Sequence, residues 1–138
     1  MLRWESSIET GISVIDQDHK RLIEFSNFIK DAPSSQWKRL VSRRFLEDTY
    51  HLVRLHFDHE EEVMLQIEYR HLDDHLRIHS LMLHAFRSRI DRCSDQYDME
   101  EAVNYIATAL LQHKLKNDMP VINFIQSRRM KGANKKRG

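Results

Sequence analysis

Glycine, proline and cysteine are nearly missing from this chain: three, two and one among 138 residues. With so few residues that break or kink a helix, helix is favoured almost throughout, and Leu, Arg, Glu, Lys, Met and Ala fill the space. The lone Cys93 rules out an internal disulfide and fits a reducing compartment. No apolar run approaches the roughly 20 residues that a membrane span needs, and no signal-peptide pattern opens the chain. A cytoplasmic location without a membrane span is therefore expected. Charge of one sign is missing overall, the net being +1. That balance hides an asymmetry, because residues 128–138 hold six Lys/Arg and no acid, leaving 16 basic against 21 acidic residues in 1–127. A basic run without interleaved aromatics makes a poor nucleic-acid site, so no nucleic-acid partner is expected. Residues 1–127 read as one domain and 128–138 as a basic, disordered tail.

The apolar residues that are present fall at helical spacing. Residues 1–15 read as an arm, interrupted by Gly11 and by Ser and Thr. A first helix opens near Asp16, a candidate N-cap, and carries His19, Leu22, Ile23, Phe25, Ser26 and Ile29 on its inner side before Pro33 stops it. A long second helix, about 36–66, has an inner stripe of Val41, Phe45, Thr49, Leu52, His56, Glu60 and Val63/Met64. Asp73 or Asp74 caps a third, with His75, His79, Met82, Leu83, Phe86 and Ile90 on one face. Asp98-x-x-Glu101 reads as a capping box for a fourth, whose stripe is Ala102, Val103, Ile106, Ala109, Leu110 and His113. A short C-terminal helix follows Pro120. Short connections make an all-α, antiparallel up-down-up-down four-helix bundle the simplest packing.

Two pairs stand out within these stripes, His56-x-x-x-Glu60 and His75-x-x-x-His79. Either alone is a weak signal, since residues four apart meet on any helix. Together with His19, His113 and Asp118 they bring five imidazoles and two carboxylates from four helical segments toward one interior. Buried groups of this kind are costly unless satisfied, and a pair of metal ions satisfies them. Carboxylates can bridge two cations while neutral histidines complete the coordination. The set lacks thiolate, which argues against structural zinc, and is too rich in nitrogen for calcium or magnesium. Iron in an N/O environment fits. His113 and Asp118 are five apart, so on a regular helix they would diverge by about 140°. An irregular stretch, unwound or π-bulged, is expected between His113 and Pro120. His51, His59, His71 and His84 fall outside the pattern and read as surface or turn residues.

These motifs make the chain resemble the hemerythrin family, in particular its bacterial members. The resemblance runs from Trp4 to about Phe124. It includes Trp4, Gly11-Ile12, Ile15-Asp16-x-x-His19, His56-Phe57-x-x-Glu60-Glu61-x-x-Met64 with Tyr69, His75-x-x-x-His79, and His113-x-x-x-x-Asp118. Arg70 stands where the family often has proline, and Ala109-Leu110-Leu111 where it often has tryptophan. The resemblance implies a non-haem di-iron centre with a bridging oxo or hydroxo group. His75, His79 and His113 would ligate one iron, His19 and His56 the other, and Glu60 and Asp118 would bridge them. It also implies dioxygen as the ligand, bound at the iron with two histidines.

Three functions compete on these grounds. Reversible dioxygen binding for transport, storage or delivery comes first, because a histidine-rich set favours high-valent iron less than a carboxylate-rich one. A regulatory module comes second, the same site reporting oxygen or redox state to a protein partner. A di-iron oxidase or peroxidase-like enzyme comes last, since the sequence offers no separate general acid or base. A non-enzymatic role is expected.

Overall fold

Helix is the only regular structure in the part of the chain described by a computed structural model, residues 10–31, 34–113 and 118–137. The elements are α1 (Ser13–Asp31), α2 (Ser34–Leu40), α3 (Arg43–Gln66), α4 (Leu72–Asp91), α5 (Gln96–His113) and α6 (Met119–Arg137). Four of them form the all-α bundle: α1 packs against α3, α3 against α4, α4 against α5, and α5 back against α1. Each buries one stripe at helical spacing, for example Ile15, His19, Ile23, Ser26 and Ile29 on α1, and His75, His79, Phe86 and Ile90 on α4. None of the described helices is long and apolar enough to cross a membrane.

The buried residues fall into layers along the bundle. One end is hydrocarbon, with Ile29, Leu46, Val53, Phe86, Ile90, Val103 and Ile106 in a single cluster. A second, smaller apolar cluster joins Ile15, Val63 and Met64 to Val121 and Ile125 of α6. Between them lies a polar layer of His19, His56, Glu60, His75, His79, His113 and Asp118, every one buried.

Several boundaries differ from the sequence expectations, each for a local reason. α1 starts at Ser13, and Asp16 is not its cap. Instead the Asp16 carboxylate accepts from the Thr10 and Gly11 N–H groups and from the Thr10 hydroxyl, at 2.8–3.0 Å, tying the preceding segment to the helix. Gly11 supplies the positive φ of 79° that this turn requires. The arm residues 1–9 lie outside the described residues.

The single helix expected over 36–66 is two. Ser42 is extended (φ −146°, ψ 171°), and its hydroxyl accepts from the Phe45 N–H as the N-cap of α3. Gln96 donates to the Lys38 and Val41 carbonyls that end α2. On α3 the buried stripe runs through Leu46, Thr49, Val53, Phe57 and Met64. Leu52, one position back from Val53, is turned outward and 60% exposed. α3 ends without glycine: Glu68 takes the left-handed conformation (φ 55°), with Tyr69 N–H donating to the Met64 carbonyl and Glu68 N–H to the Leu65 carbonyl. That pairing is a Schellman ending, and Tyr69 packs on the cluster containing Met64 as such an ending favours.

α4 opens at Leu72, with Asp73 and Asp74 in its first turn and no side-chain cap at His71. The capping box of α5 sits three residues earlier than expected: Asp95 accepts from the Asp98 N–H, and Asp98 reaches back to the Ser94 N–H. The C-terminal helix is not short, running 19 residues. Pro120 falls in its first turn, where a missing N–H is tolerated, so it opens the helix. The basic end expected to be disordered instead continues α6 as far as Arg137.

Candidate metal centre

Six of the seven candidate ligands are placed by the four bundle helices: His19 by α1, His56 and Glu60 by α3, His75 and His79 by α4, His113 by the end of α5. Asp118 stands immediately before α6, in a wide π-type turn. The stretch 114–117, on which an irregular helix is expected, lies outside the described residues. All seven side chains converge, and they form two groups that share both carboxylates. Glu60, His75, His79, His113 and Asp118 make one group; His19, His56, Glu60 and Asp118 make the other. Within each, one nitrogen or oxygen per residue lies within 4.8 Å of all the rest.

The carboxylates divide their oxygens between the groups. Glu60 turns Oε1 to His75 Nε2 (2.9 Å) and His79 Nε2 (3.7 Å), and Oε2 to His56 Nε2 (3.1 Å) and His19 Nε2 (3.8 Å). Asp118 turns Oδ1 to His75 and His113 Nε2 (3.1 and 3.0 Å) and Oδ2 to His19 Nε2 (3.9 Å). The Nε2 atoms of His79 and His113 face each other at 3.0 Å.

Hydrogen bonds do not satisfy this layer. His19 Nδ1 and Nε2, His56 Nε2 and Glu60 Oε2 are buried without a hydrogen-bond partner among the described residues. Such orphans are rare in a core and each costs about 1–3 kcal/mol. Three of the four point into the space between the two-histidine group and Glu60. A cation there would satisfy those three, and the donor set of imidazole nitrogen and carboxylate oxygen suits one. A histidine layer built only for packing would have left its nitrogens paired.

Ring orientation is fixed from outside. His56 Nδ1 lies 3.2 Å from Asp18 Oδ2, and His79 Nδ1 lies 2.9 Å from Glu61 Oε1. Each carboxylate holds its imidazole as the Nδ1–H tautomer and turns Nε2 inward, the usual arrangement behind a metal ligand. Phe57 lies flat on His79, centroids 3.8 Å apart and planes 2° from parallel, and meets His113 edge-on. Sequence reasoning assigned no role to Asp18 or Glu61 and left His59 at the surface. In fact His59 Nδ1 sits 2.8 Å from the same Asp18 oxygen. A signal was present: Asp18 immediately precedes His19, and Glu61 immediately follows Glu60.

Without a cation the layer holds protons unevenly. Burial pulls His56 down, but the carboxylates of Asp18 and Glu60 beside it overcome it and lift the ring to about 9. His75 is lifted likewise to about 9 by Asp118 and Glu60 against its burial. His79 is pushed down to about 3, first by burial and then by the neighbouring imidazoles. Burial alone would raise Glu60, yet the imidazoles around it hold it well below the usual carboxylate range. The Asp18 carboxyl is also lowered, its hydrogen bonds to His56 and His59 outweighing burial.

Three cavities adjoin the two-histidine group: one of about 10 Å³ lies on the His19 side, against Glu60, Asp118, Ile15 and Val121, and an inner and an outer one lie on the His56 side. The inner one, of about 10 Å³, is walled by Leu22, Ile23, Phe57, Leu110 and Leu111, with Ser26, His56, His113 and Asp118 at its floor. The outer one, of about 80 Å³, lies between α1 and α3 and shares Leu22, His56 and Leu110 with it.

An all-α bundle with a buried, divided His/Glu/Asp layer defines a metal-binding helical protein. The family described as the hemerythrin HHE cation binding domain matches residues 10–123, and the chain belongs to that family. Among curated relatives, a bacteriohemerythrin of Pseudomonas paraeruginosa is 26% identical over 117 residues, covering 85% of this chain and 76% of its own. A bacteriohemerythrin of Clostridium acetobutylicum is 25% identical, covering 89% of this chain and 100% of its own. A myohemerythrin of Theromyzon tessulatum is 31% identical over 78 residues, 56% of this chain and 59% of its own. No solved structure matches significantly.

Proposed function

We propose that this chain binds dioxygen reversibly at a non-haem di-iron centre and serves as an oxygen carrier, store or delivery protein. The observation that carries the reading is the division of Glu60 and Asp118 between two ligand groups, one oxygen to each, with atoms of the two-histidine group left unpartnered among the described residues. His75, His79 and His113 would hold one iron, His19 and His56 the other, with Glu60 and Asp118 across both. Bound iron supplies reversible electron donation to dioxygen, which no side chain here can provide. The rest is done by the protein. The two-histidine group has one imidazole fewer than its neighbour, so it is the side that leaves room for a ligand. The inner cavity touches that group at His56 and its neighbour at His113, and its exposed wall is nearly all hydrocarbon. At about 10 Å³ it matches a single water-sized guest, the scale of a diatomic gas. Leu22, Ile23, Phe57 and Leu110 exclude bulk water, which slows loss of a bound ligand and oxidation of the centre.

Anaerobic loading with ferrous iron should give two irons per chain. Admitting air should then produce a visible ligand-to-iron charge-transfer band that disappears on deoxygenation over repeated cycles. One metal per chain, zinc alone after native purification, or a band that bleaches irreversibly with turnover of an added reductant would overturn the proposal.

A further inference from the structure

Histidines beside a metal layer are easily read as solvated neighbours, and His59 is the residue for which that reading fails. It stands on α3, one helical turn beyond His56 and next to Glu60, with its side chain 29% exposed. Its Nδ1 lies 2.8 Å from Asp18 Oδ2, closer than the His56 nitrogen that the same oxygen meets at 3.2 Å. One carboxylate oxygen thus receives two imidazoles, and an ionised carboxylate only accepts. Both rings must therefore present Nδ1–H to it. For His56 this leaves Nε2 as a lone pair aimed inward, the form a metal ligand needs.

The two groups of the centre are not supported equally. In the three-histidine group His79 is held by Glu61 on one side and by the flat face of Phe57 on the other. In the two-histidine group His19 Nδ1 has no hydrogen-bond partner among the described residues. Orientation there depends on His56, and His56 depends on Asp18. Asp18 comes from α1 whereas His56 and His59 come from α3. Without a second anchor, a carboxylate on a separate helix could swing away along either of its side-chain torsions. Two donors one turn apart on a single helix fix it at both sides.

We propose that His59 is a positioning residue for the two-histidine metal site, clamping Asp18 so that Asp18 holds His56 in its ligating tautomer and orientation. The inference rests on the di-iron reading above, and its test separates the two. Metal-free chain is titrated with Co²⁺, whose visible d–d bands report coordination at each ion, and two variants are compared with the wild type. His59→Asn keeps an amide N–H where Nδ1 stands, whereas His59→Gln moves it one bond further out. Loss of a partner behind a metal ligand lowers affinity by about 10–100-fold. His59 acts one residue further back, so His59→Gln should weaken the second cobalt equivalent by about tenfold, the low end of that range, and alter its bands. The first equivalent should stay within about twofold, and His59→Asn should restore both affinity and spectrum to that margin. Equal binding of both equivalents by wild type, His59→Asn and His59→Gln would overturn the clamp. So would equal weakening of both equivalents in His59→Gln, which would mark His59 as a general stabiliser. A wild-type chain that takes up fewer than two cobalt ions would overturn the metal reading itself.

Discussion

The bundle has two interiors. Near the α4–α5 turn its inner stripes are hydrocarbon: Ile29, Leu46, Phe86, Ile90, Val103 and Ile106 pack as one cluster. Further along the same helices, at the same inward-facing register, stand His19, His56, Glu60, His79 and His113. On α4 the change takes only two turns, from His79 to Phe86. Helical periodicity treats the two regions alike, because it reports only which way a side chain faces. Energetically they are opposites. The hydrocarbon half is satisfied by contact alone, whereas the polar half contains buried orphan atoms that packing cannot satisfy. The first half therefore supplies stability of its own, and the second requires something added.

The largest expected effect tests the self-sufficient half. Phe86 is fully buried and meets Tyr105 edge-on, and Phe86→Ala should lower unfolding free energy by about 3–5 kcal/mol. Because the defect lies away from the polar layer, urea unfolding should show the same loss in metal-free and iron-loaded protein. A loss confined to the loaded form would erase the distinction between the halves. Glu60→Ala is the complementary test. Both ligand groups contain Glu60, so iron content should fall below two per chain. The added stability that bound metal gives, about 2.7 kcal/mol when free metal is 100 times its dissociation constant, should fall with it. Iron analysis and thermal melts read both. A variant that keeps two irons and the wild-type melting temperature would show that Glu60 is only a packing residue.

Sequence reasoning reached these halves unequally. The seven members of the polar layer were legible because imidazole and carboxylate at spacings of four, inside apolar stripes, are chemically out of place. The four bundle helices were legible from the same stripes. What escaped notice was set by single local bonds. Nothing in the period of 36–66 marks the break, which depends on the Ser42 hydroxyl taking the Phe45 N–H. Leu52 fits an inner stripe by spacing, and only the packing of three neighbouring helices selects Val53 instead. Asp18, Glu61 and His59 are ordinary surface residues to any periodicity, and their partnerships with His56 and His79 join different helices. Adjacency to His19 and Glu60 hints at Asp18 and Glu61, but periodicity cannot name their partners on another helix.

A smaller effect sharpens the contrast at the polar end. Glu68 holds a left-handed conformation (φ 55°) at the α3–α4 turn, just beyond the polar layer. A residue with a Cβ pays about 1–2 kcal/mol for that conformation, and glycine does not. Glu68→Gly should raise stability by about 1 kcal/mol, somewhat offset by the entropy glycine adds to the unfolded chain. The gain should appear in urea unfolding equally with and without metal. A destabilised variant would show that the Glu68 side chain contributes contacts outweighing its backbone strain.

The smallest effect lies on the outside of the hydrocarbon half, where charge rather than packing joins α3 to α4. Arg87 pairs with Glu47 through both guanidinium nitrogens, reaches Asp91 at 2.8 Å, and lies over the Tyr50 ring at 4.9 Å. The Arg87 hydrogen bonds hold the Glu47 carboxyl below its ordinary value of 4.5. A carboxyl whose folded value is depressed stabilises the fold above its unfolded value and loses that contribution as the pH falls through the folded one. The bonus from Glu47 is thus present at neutral pH and fades below about pH 4.5. Arg87 and Glu47 are 31% and 34% exposed, so solvent screening limits the pair to about 0.5 kcal/mol. Glu47→Gln should unfold slightly more easily than the wild type at pH 7, and the gap should narrow as the pH falls below 4.5. A gap that persists at low pH would assign the loss to contacts of the side chain other than its charge, and the outer face of this half would then be held, like its interior, by contact alone.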